Sequence, residues 1–201
     1  MTKYDPDIHH RRSIRLKNYD YSKSGLYFIT ICTQNRECLF GKIVDGKMKL
    51  NVAGEMIKKW YNELQNKFTD IELDGYIIMP NHFHCIIVNN GDQIQGEHQI
   101  QGEHQIQGED QKQGEDQKQG EDQKQGEHIG SPLRGIVQWF KTMTTNEYIR
   151  NVKQNGWKQF DKKLWQRNYY EHIIRNEESY YKISEYIINN PIKWQDDKYF
   201  I

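Results

Sequence analysis

The amino-acid sequence predicts an α+β fold in which helices pack on a ferredoxin-like antiparallel sheet. Runs of β-branched and aromatic residues alternate along the chain with longer segments whose apolar residues recur at helical spacing. Strands interleaved with helices around one sheet are typical of this class. A chain of 201 residues also suits a single core. We therefore expect one domain, residues 23–194, between a basic N-terminal arm (1–22) and a C-terminal tail (195–201).

Four segments have the composition of β-structure. The first is strongly β-branched and aromatic, which suits a central strand. The second is hairpin-like, with its turn at Asp45–Gly46, and the last two are joined at Pro80–Asn81. The predicted β-segments are 25–33, 38–50, 76–79 and 84–88.

Three segments are predicted to be helices. The first carries apolar residues at three- and four-residue spacing. The second has Ser131 as its N-cap and Pro132 in its first turn. The third has Asn176 as its N-cap and ends at Pro191, because proline cannot continue a helix. The predicted helices are 52–68, 132–150 and 177–190.

A six-residue repeat interrupts this pattern. The unit Gly-Glu-His-Gln-Ile-Gln begins at residues 96 and 102, and Gly-Glu-Asp-Gln-Lys-Gln begins at residues 108, 114 and 120. Because the repeat is polar and free of aromatic residues, it cannot bury enough apolar surface to offset the entropy lost on ordering. We predict a disordered low-complexity insert over residues 91–128. Its histidines, His98 and His104, are interpreted as solvated rather than as metal ligands.

The formal net charge of zero conceals an uneven distribution. Residues 91–128 hold three of the 28 basic residues and ten of the 28 acidic residues, so the rest of the chain has a net charge of +7. A basic domain is expected of a protein that binds a polyanion, although many basic domains bind none. The densest basic patch contains Arg11, Arg12 and Arg15, which either contact phosphates or form a solvated arm.

Several classes of protein are disfavoured by what the sequence lacks. No run of about 18 apolar residues exists, which excludes a membrane-spanning helix. The N-terminus lacks the apolar region of a signal peptide, so we expect a cytoplasmic protein. The cysteines Cys32, Cys38 and Cys85 lack the paired spacing of a zinc site, and we expect free thiols without disulfides.

Residues 79–84, Met-Pro-Asn-His-Phe-His, contain the strongest local signal. Alternate residues of a strand face the same side, so His82 and His84 should project together while Phe83 turns into the core. Two adjacent imidazoles can bind a metal ion. Such pairs also occur as hydrogen-bonded histidines without a metal, and this motif alone leaves both interpretations open.

A second pair of residues lies on the last predicted helix. Tyr186 and Asn190 are four residues apart and therefore share a helix face. Asn190 offers a carbonyl oxygen as a hard metal ligand beside two histidines, and Tyr186 offers a phenol as a nucleophile. In isolation, the simpler interpretation is that the tyrosine packs and the asparagine caps the helix.

Four motifs in a fixed order change this balance. The sequence resembles the HUH single-tyrosine transposases, and within them the REP-associated tyrosine transposases, over about residues 10–194 with the repeat excluded. The motifs that carry the resemblance are Gly-Leu-Tyr-Phe-Ile-Thr at 25–30, Met-Pro-Asn-His-Phe-His at 79–84, Leu-Trp-Gln-Arg-Asn-Tyr-Tyr-Glu-His-Ile-Ile-Arg at 164–175 and Tyr-Ile-Ile-Asn-Asn-Pro at 186–191.

The resemblance implies a specific reaction. His82 and His84 would bind Mg²⁺ or Mn²⁺, and Tyr186 would attack a phosphodiester in single-stranded DNA, forming a 5′-phosphotyrosine link and releasing a 3′-OH. The reverse step would join strands without ATP, so no nucleotide cofactor is expected. Asn190 stands where insertion-sequence members have a glutamine ligand, and it is expected to be the third ligand. The implied partner is single-stranded or hairpin DNA, bound by a monomer or a homodimer.

Four further residues are predicted to contact DNA, some of them with a structural alternative. Trp165 either stacks on bases or packs in the core, and His172 either contacts DNA or makes a structural hydrogen bond. Arg167 and Arg175 would bind phosphates.

Two other functions remain open from the sequence. One is a domesticated relative that binds DNA hairpins without cutting them. The other is a small zinc enzyme that uses the histidine pair, and the lack of a third histidine or cysteine at a plausible spacing argues against it.

Overall fold

The structure, a computed structural model, describes residues 20–21, 23–91 and 132–200. Three arginines of the basic arm (Arg11, Arg12 and Arg15), the predicted N-cap Ser131 and residues 92–128 lie outside these ranges, so what the sequence predicts for them stays a prediction. None of the described helices is long and apolar enough to cross a lipid bilayer.

The described residues form six strands and three α-helices. The strands are β1 (Gly25–Cys32), β2 (Gly41–Val44), β3 (Lys47–Leu50), β4 (Ile71–Ile78), β5 (His82–Asn89) and β6 (Tyr170–Ile174). The helices are α1 (Val52–Lys67), α2 (Leu133–Asn155) and α3 (Glu177–Asn189). Short 3₁₀ turns follow β1 and α3, at Gln34–Arg36 and Trp194–Asp196.

The described strands belong to two antiparallel sheets. β2 and β3 pair as a hairpin, and the other four strands lie in the order β4–β5–β1–β6. Because neighbouring strands are antiparallel, β1 is parallel to β4, and β5 is parallel to β6. α1 lies in the connection from β1 to β4 and α2 in the connection from β5 to β6, which gives two interlocked split β-α-β units. This is the ferredoxin-like topology, and the predicted fold class is confirmed.

The segment 170–174, for which the sequence predicts no element, forms β6, the edge strand beside β1. Its sequence, Tyr-Glu-His-Ile-Ile, has a glutamate and a histidine where a strand of this length would show apolar residues, so its strand signal is weak. β4 begins at Ile71, earlier than the predicted segment 76–79. The sequence pattern missed the first half of this strand, because an irregularity after Leu73 breaks the alternation of apolar and polar residues.

The ends of the helices follow capping chemistry. Asn176 caps α3 as predicted, and its Oδ1 accepts a hydrogen bond from the Ser179 amide at 2.8 Å. Pro132 is the N-cap of α2 rather than a first-turn residue, and α2 continues beyond the predicted end to Asn155. Gly156 ends α2 with a φ of 66°, a left-handed conformation that glycine adopts at no steric cost.

Strand alternation gives the four-stranded sheet two different faces. The core face carries buried apolar side chains such as Ile29 and Phe83, and α1 and α2 pack over it. The site face carries Phe28 and Thr30 of β1 together with the two histidines of β5, and α3 packs on part of it through Ile187. The core face therefore holds most of the apolar packing, and the site face combines a smaller apolar cluster with the buried polar side chains of Thr30 and the two histidines.

Candidate active site

His82 and His84 occupy alternate positions of β5 on the site face, as predicted. Both side chains are buried, with ring centroids 4.5 Å apart, and Phe83 between them belongs to the core. Nδ1 of His84 is hydrogen-bonded to the Thr30 hydroxyl at 2.8 Å, and Nδ1 of His82 to Oδ1 of Asn81 at 2.8 Å. Each ring is thus held through Nδ1, which leaves its Nε2 for the site.

Asn81 determines the tautomer of His82. Its amide nitrogen donates to the carbonyl oxygens of Arg36 (3.0 Å) and Tyr199 (2.8 Å), so its Oδ1 is the atom that faces His82. An amide oxygen can only accept a hydrogen bond, so the imidazole proton lies on Nδ1 and Nε2 keeps its lone pair. Histidines that bind a metal through Nε2 are oriented by a partner on Nδ1 in the same way.

Burial keeps both imidazoles neutral. Loss of hydration lowers the pKa of His82 to about 4, against the opposing effect of the Asp197 carboxylate. Loss of hydration also lowers the pKa of His84 well below its ordinary value, and the neighbouring His82 adds to the shift. Both rings are therefore uncharged at neutral pH, which is the state that a metal ion requires.

Tyr186 projects from α3 towards the histidines. Its hydroxyl oxygen lies 3.3 Å from Nε2 of His84 and 3.3 Å from Oδ2 of Asp197, and the side chain is 38% exposed. Partial burial, reinforced by the Asp197 carboxylate, raises the pKa of the phenol above its ordinary value. The hydroxyl therefore stays protonated at neutral pH, and it needs a proton acceptor to act as a nucleophile.

Asn190 lies one turn after Tyr186, at the C-cap of α3, and its side chain is buried beside His82. Its Nδ2 donates to Oδ2 of Asp197 at 3.0 Å, whereas its Oδ1 has no hydrogen-bond partner among the described residues. The same holds for Nε2 of His82. An unsatisfied buried polar atom costs about 1–3 kcal/mol. A cation bound between these two acceptors would satisfy both.

Asp197 is a site residue that the sequence did not predict. The predicted boundaries assign it to the C-terminal tail, but the turn at Trp194–Asp196 brings it to the histidines. One donor atom from each of His82, His84 and Asp197 lies within 4.8 Å of the other two. Nothing in the sequence points to this residue, because a single aspartate in a short polar segment has neither periodicity nor a motif.

The donor atoms fit a divalent cation. Two imidazole nitrogens, a carboxylate oxygen and the amide oxygen of Asn190 make a mixed nitrogen and oxygen set. Oxygen ligands favour Mg²⁺ and Mn²⁺, and imidazoles also suit zinc and iron. The sequence argument against a zinc enzyme loses force here, since the Asp197 carboxylate is close enough to serve as a third ligand, of a type that zinc accepts.

A cleft of about 420 Å³ opens beside Tyr186, between α3 and the C-terminal residues. Its charged lining is mixed, so a polyanion in the cleft would need the lysines, and a cation at the histidines, to offset the carboxylates. The charged residues that line it are Lys182, Lys193, Lys198, Glu185, Asp196 and Asp197.

The prediction that Trp165 contacts DNA is corrected by the burial of its side chain. The side chain is only 5% exposed and packs against Phe40 at a ring distance of 5.2 Å. Its indole nitrogen donates to the Thr144 hydroxyl at 2.9 Å. A residue enclosed in this way cannot stack on a base, so core packing, the alternative that the sequence left open, applies to Trp165.

The other predicted DNA contacts within the described residues are solvent-exposed. Arg167, His172 and Arg175 all present exposed side chains, and neither arginine lines the cleft. His172 is opposite Phe28 in the pairing of β6 with β1, so it shares the site face with the histidine pair. Contact of these three residues with DNA stays a prediction.

Comparison with known proteins gives one full-length relative. No protein-family profile matches the chain. An uncharacterised protein of Haemophilus influenzae is 40% identical over 200 residues, covering 100% of this chain and 98% of that protein. The chain belongs to the same family as this Haemophilus protein. The similarity extends over the whole chain. Because the relative is uncharacterised, it does not indicate an activity.

Two solved structures show a weaker likeness. One is a REP-associated tyrosine transposase bound to a REP hairpin, at a TM-score of 0.47 and 19% identity, covering 92% of this chain and 77% of the other. The second is a candidate transposase from Deinococcus radiodurans, at a TM-score of 0.40 and 16% identity, covering 88% and 97%. The fold assignment rests instead on the strand order and connections described above.

Proposed function

We propose that the protein is a metal-dependent single-stranded DNA endonuclease and strand-transferase of the HUH single-tyrosine transposase type, acting at hairpin-forming DNA. The observation that carries this proposal is the position of the Tyr186 hydroxyl, 3.3 Å from Nε2 of one of two neutral, buried histidines. The four sequence motifs that resemble those enzymes support it independently. The nearness of this phenol to the candidate metal site supports its assignment as the nucleophile.

In the proposed reaction, Oη of Tyr186 attacks the phosphorus of a phosphodiester. The new bond joins the tyrosine to the 5′ phosphate, and the bond from phosphorus to the 3′ oxygen breaks. Oδ2 of Asp197 lies 3.3 Å from the phenol and accepts its proton, which then passes to the leaving 3′ oxygen. Attack by a free 3′-OH reverses these steps and joins strands without another energy source.

We assign the metal ligands as Nε2 of His82, Nε2 of His84 and Oδ1 of Asn190, with Mg²⁺ or Mn²⁺ as the ion. The bound ion would neutralise charge on the phosphate under attack. Asn81 and Thr30 hold the two rings in place, and Asp197 stands next to the site as proton acceptor. Because the pKa of Tyr186 is raised, such help is needed at neutral pH.

The test of the nucleophile uses a pool of hairpin-bearing DNA strands labelled at the 3′ end, incubated with Mn²⁺ and separated under denaturing conditions. The wild type should retain label on the protein, and chelator should abolish it. Tyr186→Phe should form no adduct while keeping its affinity for DNA, because only one hydroxyl is lost. Tyr181→Phe, an exposed tyrosine on the same helix, is the matched control and should react normally. An adduct on Tyr186→Phe would exclude the proposal.

The role of Asp197 can be separated from metal binding. Asp197→Asn should still bind Mn²⁺ in a calorimetric titration but should form the adduct much more slowly, because its amide cannot accept the phenolic proton. His82→Ala should lose Mn²⁺ binding. If Asp197→Asn loses the metal as completely as His82→Ala does, Asp197 is a ligand and the proposed proton path is wrong.

Two other functions predict different results in these assays. A domesticated protein that only binds hairpins would hold DNA and form no adduct with Mn²⁺ present. A zinc enzyme is the second candidate, and the observation that favours it is the third ligand that Asp197 could provide. Such an enzyme would carry about one zinc per chain after purification, whereas the proposed nuclease should gain activity from added Mg²⁺ or Mn²⁺.

A further inference from the structure

Tyr170 is an exposed aromatic side chain next to the candidate active site that the proposed reaction does not use. It begins the edge strand β6 and pairs with Thr30 of β1, so it lies on the site face. The side chain is 42% exposed. Its ring meets Phe28 edge-on at 6.3 Å, and Phe28 in turn stacks on His84 at 5.3 Å. Only the ring of Phe28 separates Tyr170 from His84, one of the proposed metal ligands.

Lys198 lies over the rings of this tyrosine and of Tyr199, and it also lines the cleft beside Tyr186. Its Nζ lies 5.4 Å from the centre of the Tyr170 ring, and the residue lines the cleft that contains Tyr186. Lys198 forms no ion pair with a carboxylate of the described residues. Its backbone is held in place, because its carbonyl oxygen accepts a hydrogen bond from Arg36 at 3.0 Å. An exposed ring and a positioned cation thus lie side by side at the mouth of the site.

We infer that Tyr170 and Lys198 form a nucleotide subsite, in which Tyr170 stacks on a base of single-stranded DNA and Lys198 binds the phosphate between that base and Tyr186. The inference rests on the proposed function and adds that the DNA next to the cleaved bond is unpaired. An aromatic surface beside a cation is the usual binding chemistry for single strands, whose bases are free to stack. Bases in a duplex are covered by their neighbours, so this subsite selects unpaired DNA next to the cleaved bond.

The role of Tyr170 is tested by binding without cleavage, in chelator. Two strands are compared, a 12-nucleotide random-sequence oligonucleotide and an abasic strand with the same number of phosphates. Tyr170→Val keeps a strand-forming residue but removes the ring. It should weaken binding to the random strand about 5- to 150-fold, the range given by stacking of one base, and leave binding to the abasic strand unchanged. Tyr170→Phe keeps the ring and should bind both strands like the wild type.

Tyr181→Val is the matched control for Tyr170→Val. Tyr181 is 65% exposed and contacts Tyr180 at a ring distance of 5.7 Å. Tyr170 has Lys198 over its ring and meets Phe28, whereas the ring of Tyr181 contacts that of Tyr180 alone among the described residues. Replacement of Tyr181 therefore removes an exposed ring without disturbing the subsite, and both strands should be bound as by the wild type. Circular dichroism and thermal unfolding of each variant show that the protein being titrated is folded.

The role of Lys198 has a different signature, because a phosphate is present in both strands. Lys198→Gln should weaken binding to the random and the abasic strand by the same factor. It should also reduce the slope of log affinity against log salt by about 0.7, the value for one phosphate contact on a single strand. Lys153→Gln, which removes an exposed lysine at the end of α2, is the charge-matched control and should leave the slope near the wild-type value.

Two results would overturn the subsite. One is equal binding of the random strand by wild type and folded Tyr170→Val. The other is an equal loss on the abasic strand, which would mean that the ring acts without a base. These results are independent of the covalent chemistry: a protein that forms no adduct but shows the Tyr170 effect would refute the nuclease and retain the subsite. A protein that forms the adduct without the Tyr170 effect would refute only the subsite.

Discussion

The two faces of the central sheet come from the same strands and bury different chemistry. On the core face, side chains such as Ile29 and Phe83 are buried among apolar residues of α1 and α2. On the site face, neighbouring residues of the same strands are Thr30, His82 and His84, which are just as buried but polar. α3 covers only part of this second face.

The difference shows how a small domain can separate stability from chemistry. The core face gains free energy from apolar burial, about 25 cal/mol per Å² of apolar surface. On the site face, Nε2 of His82 has no hydrogen bond from the described residues, and neither has Oδ1 of Asn190 beside it at the end of α3. Such atoms destabilise the folded protein, so they are expected where a ligand compensates. Strand alternation places these two environments one residue apart.

The largest expected contrast is between the adjacent residues Phe83 and His84. Phe83→Ala should lower the free energy of unfolding by about 3–5 kcal/mol, because it opens a cavity in the core, while its folded fraction still forms the DNA adduct. His84→Ala should cost less, about 1–3 kcal/mol, and should form no adduct. Urea unfolding in chelator and the adduct assay measure the two effects. Equal destabilisation with adduct formation in both variants would show that the faces do not differ in this way.

The second contrast concerns pH. The pKa of His82 is about 4 in the folded protein and about 6.5 in an unfolded chain. The unfolded state therefore binds a proton that the folded state refuses, so stability falls as the pH drops from 6.5 towards 4, by up to about 3 kcal/mol. In metal-free protein, His82→Asn should partly flatten the dependence of unfolding free energy on pH in that window; the remainder comes from His84, whose pKa is also lowered by burial. Replacement of the exposed His172 by asparagine is the control, and the same flattening there would contradict the role of burial.

The smallest expected effect comes from the insert, which belongs to neither face. Described residues at the start of the insert and shortly after it approach the same short segment: Gly91 lies beside Ser24, and the Leu133 amide donates to the carbonyl oxygen of Tyr21 at 3.4 Å. A short glycine-serine linker from Asn90 to Ile129 should therefore close the chain, with a change in stability of only about 1 kcal/mol.

Replacing the insert also removes a net charge of −7, so binding to DNA should strengthen, most clearly at low salt. Anisotropy titrations at two salt concentrations measure this change. An unfolded deletion variant, or weaker DNA binding at low salt, would mean that the repeat contributes to structure or to recognition.

Local periodicity was sufficient to predict much of the molecule. The pairing of His82 with His84 follows from the two-residue repeat of a strand, and the placement of Tyr186 with Asn190 follows from the four-residue spacing of a helix. The order of strands and helices was sufficient for the fold class.

The remaining features depend on tertiary contacts. Asp197 reaches the site only because the chain turns back after α3. Trp165 lies in a motif whose sequence does not reveal that Phe40 and Thr144 enclose it. β6 becomes a strand because β1 offers it an edge, despite the polar residues Glu171 and His172.

The central claim is that Tyr186, on α3 beside the site face, is the nucleophile. It is tested most directly by mapping the residue that becomes attached to DNA. After reaction with hairpin strands and Mn²⁺, the DNA is digested to a short nucleotide remnant, and the protein is cut with trypsin. The peptide from Ile183 to Lys193 contains Tyr186 as its single tyrosine. We expect the nucleotide mass on this peptide, at Tyr186, in the wild type. A nucleotide on any other peptide, such as the preceding one that contains Tyr180 and Tyr181, would contradict the claim.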